Sequence, residues 1–376
     1  MPDKPVVQWR EGAESRSALW RSERGAAPPK KIVIADDTMT ADHAYGLAAQ
    51  GTGLLWLGDY QNARQMLTAL GHRADRQARK VGKTPAEDFN FERQARAQRA
   101  RTLGMLLVPL EADYTIPLRR GQDVREACLE AYGPADEASL VSLRELLGVI
   151  GAHEWRRKGI ELPAIRGRIH PHYGVFAPIR SEYVDLVAKA PLPAAAASSS
   201  VAFDIGTGTG VLAAVLARRG IRRVVATDTE PRALASAREN LERLGLAKQV
   251  ELAQVDLFPP GEAAIVVCNP PWVPARPSSP LEHGIYDPES RMLKGFLAGL
   301  PSHLAPGGEG WLILSDLAEH LGLRTRQALL DHFEGAGLKV AGRLDAPAKH
   351  PRAADKTDRF HAARKAEVTS LWRLSR

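Results

Sequence analysis

Asn269-Pro270-Pro271-Trp272, directly after the apolar run Ala263-Ala-Ile-Val-Val-Cys268, is the stretch whose residue types define a chemistry most narrowly. Two consecutive prolines have no N–H and fix an extended path, which leaves the Pro270 carbonyl free to point away from a sheet. Together with the Asn269 side-chain oxygen, that carbonyl makes two acceptors for the two hydrogens of a planar NH2 group. Trp272 offers a ring on which a flat amide or a base stacks. The lone pair of such a nitrogen is delocalised, so holding both N–H bonds and aligning the nitrogen with an incoming group contributes much of the rate, and neither a strong base nor a metal is required.

A second stretch, Val201-Ala-Phe-Asp-Ile-Gly-Thr-Gly-Thr-Gly210, reads as a buried strand entering a glycine turn and then a helix. Gly206, Gly208 and Gly210 permit positive φ and close approach of a ligand to the backbone, and the following helix presents free N–H groups. A dinucleotide fingerprint wants glycine where Val211 stands, and no Gly-Lys-Ser/Thr triplet follows, so S-adenosylmethionine fits this turn better than NAD or a nucleoside triphosphate. Asp228 closes the next strand, about twenty residues on, where a carboxylate accepts both ribose hydroxyl protons. Asp256, ending the third strand, is placed for the adenine amino group. Asp204, Thr207, Thr229, Leu257 and Asn269 complete the expected cofactor contacts. Asn269, Pro270, Pro271 and Trp272 are expected to form the catalytic edge.

These residues sit where alternating elements put them. Strands are predicted near 201–205, 223–228, 250–255, 264–268, 310–315, 338–344 and 367–373, with helices near 211–219, 231–244, 291–304 and 318–335. That order predicts an α/β, doubly wound, seven-stranded Rossmann-like sheet, parallel except for an antiparallel pair at its end around a basic insert from 346 to 367. Motifs following the first, second and fourth strands then meet at the carboxyl edge of one sheet, where such folds bind ligands. Residues 273–290, rich in proline and serine, are read as a lid.

Ahead of this lies a longer N-terminal part. Residues 1–30 are polar and proline-bearing and read as a flexible arm. Residues 31–165 read as a mostly helical accessory and substrate-recognition domain. From 38 to 103 the pattern is helical: Leu54, Leu55, Leu57, Ala63, Met66, Leu67 and Leu70 recur at mixed three- and four-residue steps, with Gly71 as a stop and a second helix over 89–103. Met105–Leu110 and Tyr114–Leu118, broken by proline, suit edge strands or extended packing segments. Helices are expected over 122–132 and 136–150, and the methyl-transfer unit over 166–376.

The chain has 376 residues, 44% hydrophobic and 25% charged, which is ordinary for a soluble protein of two domains. Its apolar runs are too short to span a bilayer and its start is polar, so a cytoplasmic protein without membrane contact is expected. Two cysteines, Cys128 and Cys268, make neither a disulfide framework nor a zinc site. His170 and His172 have no second ligand cluster, so no metal is expected. There is no Gly-x-Ser-x-Gly elbow for a hydrolase. The formal charge of +7 favours an acidic partner such as RNA, DNA or an acidic protein face; Arg93, Arg96, Arg99 and Arg101 over one broad face of the second helix and the basic insert at 346–367 read either as solvated surface or as grips for a polyanion.

The segments Phe203–Gly210, Asp228–Asn240 and Asn269–Trp272 resemble class I S-adenosylmethionine-dependent methyltransferases. More narrowly, they resemble the branch with Asn-Pro-Pro-aromatic motifs that holds release-factor glutamine methyltransferases and several adenine-N6 methyltransferases. Pro178-Ile-Arg-Ser-Glu182-Tyr-Val-Asp-Leu-Val187 is similar to a segment of the glutamine enzymes that borders the cofactor and target pocket, which implies a cofactor role for Glu182. Trp272 stands where that branch has tyrosine, and Tyr183 where it has threonine. The resemblance covers about 170–345 and implies an S-adenosylmethionine-dependent N-methyltransferase. The basic balance favours adenine N6 in RNA or DNA as acceptor. A protein glutamine, a small molecule, or a non-catalytic module that keeps the cofactor fold are the competing readings.

Overall fold

The computed structural model describes residues 5–77, 80–134, 137–277, 282, 284–349 and 355–376. The chain divides into two units, Met1–Glu154 and Trp155–Arg376.

The second unit is built on alternation of period two. Ala202, Val224, Ala226, Ile265, Val267, Trp311 and Ile313 belong to one buried cluster, and their neighbours Phe203, Ile205, Val225, Val266, Cys268, Leu312 and Leu314 to another. Successive side chains of a strand point to opposite faces, so each strand here feeds two cores and must be covered on both sides. The elements are β7 (Ile160–Leu162), β8 (Gly167–Ile169), α6 (Glu182–Lys189), α7 (Ala195–Ser198), β9 (Val201–Ile205), α8 (Val211–Arg218), β10 (Arg223–Asp228), α9 (Pro231–Arg243), β11 (Val250–Gln254), β12 (Ala263–Cys268), α10 (Arg291–His303), β13 (Leu304–Ser315), α11 (Leu317–His320), α12 (Arg326–Gly335), β14 (Lys339–Pro347), α13 (His361–Ala366) and β15 (Val368–Ser375). Helices α6, α8 and α9 cover the first face, and α10 and α12 the second.

The seven strands run in the order β11-β10-β9-β12-β13-β15-β14. The first five are parallel. Strand β15 is antiparallel to both β13 and β14. This is the doubly wound, Rossmann-like methyltransferase sheet expected from the sequence. One helix differs: the continuous stretch expected over 318–335 is broken into α11 and α12 at Gly322, whose φ is +68°.

In the first unit the elements are β1 (Val6–Glu11), β2 (Glu14–Arg21), β3 (Lys31–Ala35), α1 (Ala41–Ala49), β4 (Thr52–Trp56), α2 (Tyr60–Asp75), α3 (Pro85–Gly104), β5 (Leu106–Leu110), α4 (Arg125–Tyr132), β6 (Ser139–Ser142) and α5 (Leu143–Lys158), within which the division between units falls. Helices outweigh strands in length, but they are laid on a six-stranded mixed sheet of order β1-β2-β6-β5-β4-β3.

Several expectations are corrected here. Within the expected arm, residues 6–21 form a hairpin, β1 and β2, which buries Val7, Trp20 and the Arg21 side chain and leaves Arg10, Glu11, Glu14 and Arg16 exposed. So few of its residues are apolar that the alternation hardly shows. Leu54 and Leu55, assigned to a helix, lie on β4, where all five residues are buried. A short continuous apolar run has no period by which strand and helix differ. Gly71 does not stop α2: Arg99 of α3 occupies the space over it, and an added Cβ would lie 3.0 Å from Arg99 Nη2. The run around Pro109 is an interior strand rather than an edge. Register with β4 covers only Leu106 and Leu107, so the missing Pro109 N–H breaks no bond on that side. Residues 139–142, expected as helix, form β6 between β2 and β5.

Candidate methyl-transfer site

The turn after β9 takes left-handed backbone at all three glycines, with φ of +70° at Gly206, +55° at Gly208 and +81° at Gly210. Each has a different reason to lack a side chain. A Cβ on Gly210 would lie 3.2 Å from Ala237 Cβ, so this glycine lets α9 pack against the turn. A Cβ on Gly206 would lie 2.5 Å from Met292 Cε at the start of α10. Gly208 has nothing within 4 Å of that position, so its Cα faces open space.

Asp204 braces the turn from below. It is buried, and Oδ2 accepts from Thr207 Oγ1 at 2.6 Å and from the Ala213 N–H in the first turn of α8 at 2.9 Å. Burial raises its carboxyl from 3.8 to about 6, against the lowering effect of these two bonds. Thr207 is buried too, its N–H donating to the Thr227 carbonyl at 2.8 Å. Asp204 and Thr207 therefore shape the turn rather than line an open surface.

Asp228, half-buried at the end of β10, accepts the Gly208 N–H on Oδ2 at 2.9 Å and the Glu230 N–H on Oδ1 at 3.0 Å. Each oxygen retains a lone pair for a diol. Thr229 is exposed, and its carbonyl accepts from Gln254 Nε2 at 3.1 Å. Leu257, at φ +68°, is pinned by its carbonyl, which accepts from Thr227 Oγ1 at 2.7 Å. Asp256 is exposed and forms an ion pair with Arg291 of α10, Oδ2 to Nη2 at 2.5 Å. An adenine amino group would share this carboxylate with Arg291, which the sequence did not signal.

Cys268 of β12 is in register with Ile205 of β9, so Asn269 and Gly206 leave the sheet side by side. Asn269 and Trp272 are half-buried, Pro270 is buried and Pro271 half-buried. The Asn269 Oδ1 accepts the Trp272 indole N–H at 2.8 Å. One face of the Trp272 ring is covered by the Arg180 guanidinium, 4.8 Å from the ring centroid. Arg180 is itself held by Glu182 Oε1 on Nε at 2.8 Å and by Glu367 Oε1 on Nη1 at 2.9 Å. The Glu367 side chain is fully buried and also accepts from Ser315 Oγ at 2.5 Å. Glu182 is thus engaged by Arg180 within this network.

The structure brings the glycine turn, Asp228 and the Asn-Pro-Pro-Trp edge to one end of the sheet. Arg180, Glu367, Met292 and Arg291 were not singled out as site residues by sequence. Arg180 lies two residues before Glu182, inside a segment already noted. Glu367 is 187 residues from Arg180 and carries no sequence signal; antiparallel β15 delivers it. His170 and His172 tie their segment to the end of α5 and to α9: His170 Nδ1 lies 2.6 Å from the Arg156 carbonyl, and His172 Nε2 lies 3.1 Å from Glu239, which Arg156 also grips. Among the described residues no group of three His, Cys, Asp or Glu is arranged to hold a metal, and no helix is long and apolar enough to cross a membrane. Both cysteines are buried and unpaired, with thiols raised by burial, Cys128 to about 12. A shallow depression in the first unit, floored by Leu67 and Leu147, involves none of these groups. Part of the 273–290 stretch read as a lid, and part of the 346–367 insert, fall outside the described residues.

Residues 166–338 match the family model for the methyltransferase small domain. Over this segment the chain is similar to the methyltransferase small domain. The chain is 33% identical to the release factor glutamine methyltransferase of Cereibacter sphaeroides over 165 residues, 38% of this chain and 59% of that one. It is 44% identical to the ribosomal protein L11 methyltransferase of Symbiobacterium thermophilum over 66 residues, 18% of this chain and 22% of the other. The chain spans less than two thirds of the length of either relative. Among solved structures, a methyltransferase from Thiobacillus denitrificans in complex with S-adenosyl-L-homocysteine aligns over 53% of this chain and 92% of its own, at 15% identity and a TM-score of 0.36.

Proposed function

We propose that the protein is an S-adenosylmethionine-dependent N-methyltransferase whose acceptor is a protein carboxamide, the side chain of glutamine. The observation that carries this reading is the placement of Asn269-Pro-Pro-Trp272 beside the glycine turn, through the pairing of Cys268 with Ile205. The residues present fit the cofactor: an open backbone at Gly208, a diol acceptor at Asp228 and no pyrophosphate cradle. When bound, S-adenosylmethionine supplies an electrophilic sulfonium methyl. The chain's own part is to hold the amide nitrogen. Asn269 Oδ1 and the Pro270 carbonyl accept its two N–H bonds, the nitrogen is aligned for in-line attack, and its proton leaves to solvent after transfer.

Protein is favoured over nucleic acid by the condition of the α3 arginines. Arg99 pairs with Asp75 and Arg96 with Glu92, Arg101 bonds Gln98, and Arg93 lies over Phe89. Carboxylates thus offset two of the four cations on this face, Arg96 and Arg99, which lowers the number of counterions it can release from a phosphate backbone. The matched relatives are named for methylating protein acceptors, a release factor and a ribosomal protein. Such an enzyme would act in the cytoplasm, with the first unit recognising the substrate. The test is labelled S-adenosylmethionine incubated with separated protein, RNA and DNA pools from cells lacking the gene. Label in protein, lost with Asn269→Ala, supports the reading. Label in nucleic acid alone sinks it; label only in small molecules would favour a small-molecule enzyme, and label nowhere a non-catalytic module.

A further inference from the structure

Asn269 serves the proposed reaction only if its oxygen, rather than its NH2, faces the acceptor. A carboxamide is nearly symmetric in shape, so something must choose. The indole N–H of Trp272 is a donor with no acceptor capacity, and at 2.8 Å it selects the oxygen of Asn269. A flipped amide would set N–H against N–H. The oxygen has two lone pairs, and the bond to Trp272 uses one of them.

Trp272 in turn is held from its ring face. Arg180 lies 4.8 Å from the ring centroid. Two of its nitrogens are fixed by carboxylates from opposite ends of the unit, Glu182 at the start of α6 and Glu367 before β15. Its third nitrogen, Nη2, is buried and has no hydrogen-bond partner among the described residues. The guanidinium is therefore oriented by hydrogen bonds at Nε and Nη1 alone, with its central carbon over the indole ring.

We propose that Arg180 and Trp272 are positioning residues: Arg180, locked by Glu182 and Glu367, holds the Trp272 ring, and Trp272 fixes the Asn269 carboxamide with its oxygen toward the acceptor. This rests on the proposed function for its catalytic consequence, but not for the contacts themselves. One face of the Trp272 ring is committed to Arg180, so the acceptor meets the other face or the ring edge.

Two readouts test it in the full-length protein. In the first, methyl incorporation into the protein pool and affinity for S-adenosylhomocysteine are measured for Trp272→Phe, Arg180→Lys and Arg180→Ala. Loss of one orienting hydrogen bond predicts a maximal rate for Trp272→Phe lower by about tenfold, with cofactor affinity within about twofold. Arg180→Ala falls further, and Arg180→Lys, which keeps the charge but not the planar fork, recovers part of the rate. A cofactor affinity that drops in step with rate, or an unchanged rate, overturns the proposal. The second readout needs no substrate. The indole N–H resonance of Trp272 is assigned by its absence in Trp272→Phe, and its solvent exchange is compared in wild type, Asn269→Ala and Arg180→Lys. Faster exchange in both variants upholds the relay; exchange as slow as in wild type overturns it. If the wild-type protein methylates nothing in the protein pool, the proposed function fails on its own, and the exchange data still decide the relay.

Discussion

Asp204→Asn removes the buried carboxyl beneath the glycine turn while keeping its shape. In the native fold the Asp204 carboxyl is raised from 3.8 to about 6, which corresponds to about 3 kcal/mol of preference for the neutral form. The folded state binds this proton more tightly than the unfolded chain does. Stability from this group is therefore fully present below about pH 4 and declines by about 1.4 kcal/mol per pH unit as pH rises, until it is lost above about 6. An asparagine has no such dependence. Denaturant unfolding of both proteins, without cofactor, at half-unit intervals from pH 4 to 8 gives a difference curve in which other titrating groups cancel. The stability of wild type relative to the variant falls by about 3 kcal/mol across that range. A flat difference would mean that Asp204 keeps an ordinary carboxyl value. A difference growing with pH would mean that it is ionised and stabilised by its Thr207 and Ala213 bonds, and either result refutes the reasoning.

Gly210→Ala places a Cβ at φ +81° and 3.2 Å from Ala237, so unfolding free energy drops by about 1–2 kcal/mol or more in a urea titration; an unchanged midpoint would contradict the account. Gly208→Ala carries the backbone strain without the clash, and calorimetry shows a larger loss of S-adenosylhomocysteine affinity than strain explains; equal affinity means that the ligand does not approach there. Asp228→Asn weakens the same ligand by about tenfold, the worth of a hydrogen bond to a charged group, whereas affinity within twofold removes Asp228 from the ribose site. Binding to RNA, followed by filter retention at two salt concentrations, shows no dissociation constant below the roughly micromolar range of non-specific contacts at physiological salt; tight binding with a steep salt slope would restore the nucleic-acid reading.

What could be read from the chain and what could not separate along one physical line. The strands of the second unit feed two cores each, so runs such as Val201–Ile205 and Ala263–Cys268 announce themselves, and glycine turns and proline pairs mark their ends. The first unit hides its sheet, because β4 is buried at all five positions and reads like part of a helix, while β1 and β2 are so polar that they read as coil. Asp228, Gly208 and Asn269 were legible because each follows or ends a strand of the same sheet. Arg180 and Glu367 were not, since their pairing depends on β15 returning antiparallel beside β13. Arg291 escaped for a related reason: its partner Asp256 was read as an acceptor for the adenine amino group, and only the start of α10 shows the ion pair.

The most direct test of the central claim is the chemical identity of the methylated product. Isotopically labelled methyl groups transferred from S-adenosylmethionine by the purified enzyme into extracts of cells lacking the gene, followed by complete digestion and mass spectrometry, should appear on the side-chain nitrogen of glutamine in protein. The Asn269→Ala enzyme should give none. Label recovered on the exocyclic nitrogen of adenine in RNA or DNA, with protein unlabelled, would contradict the account.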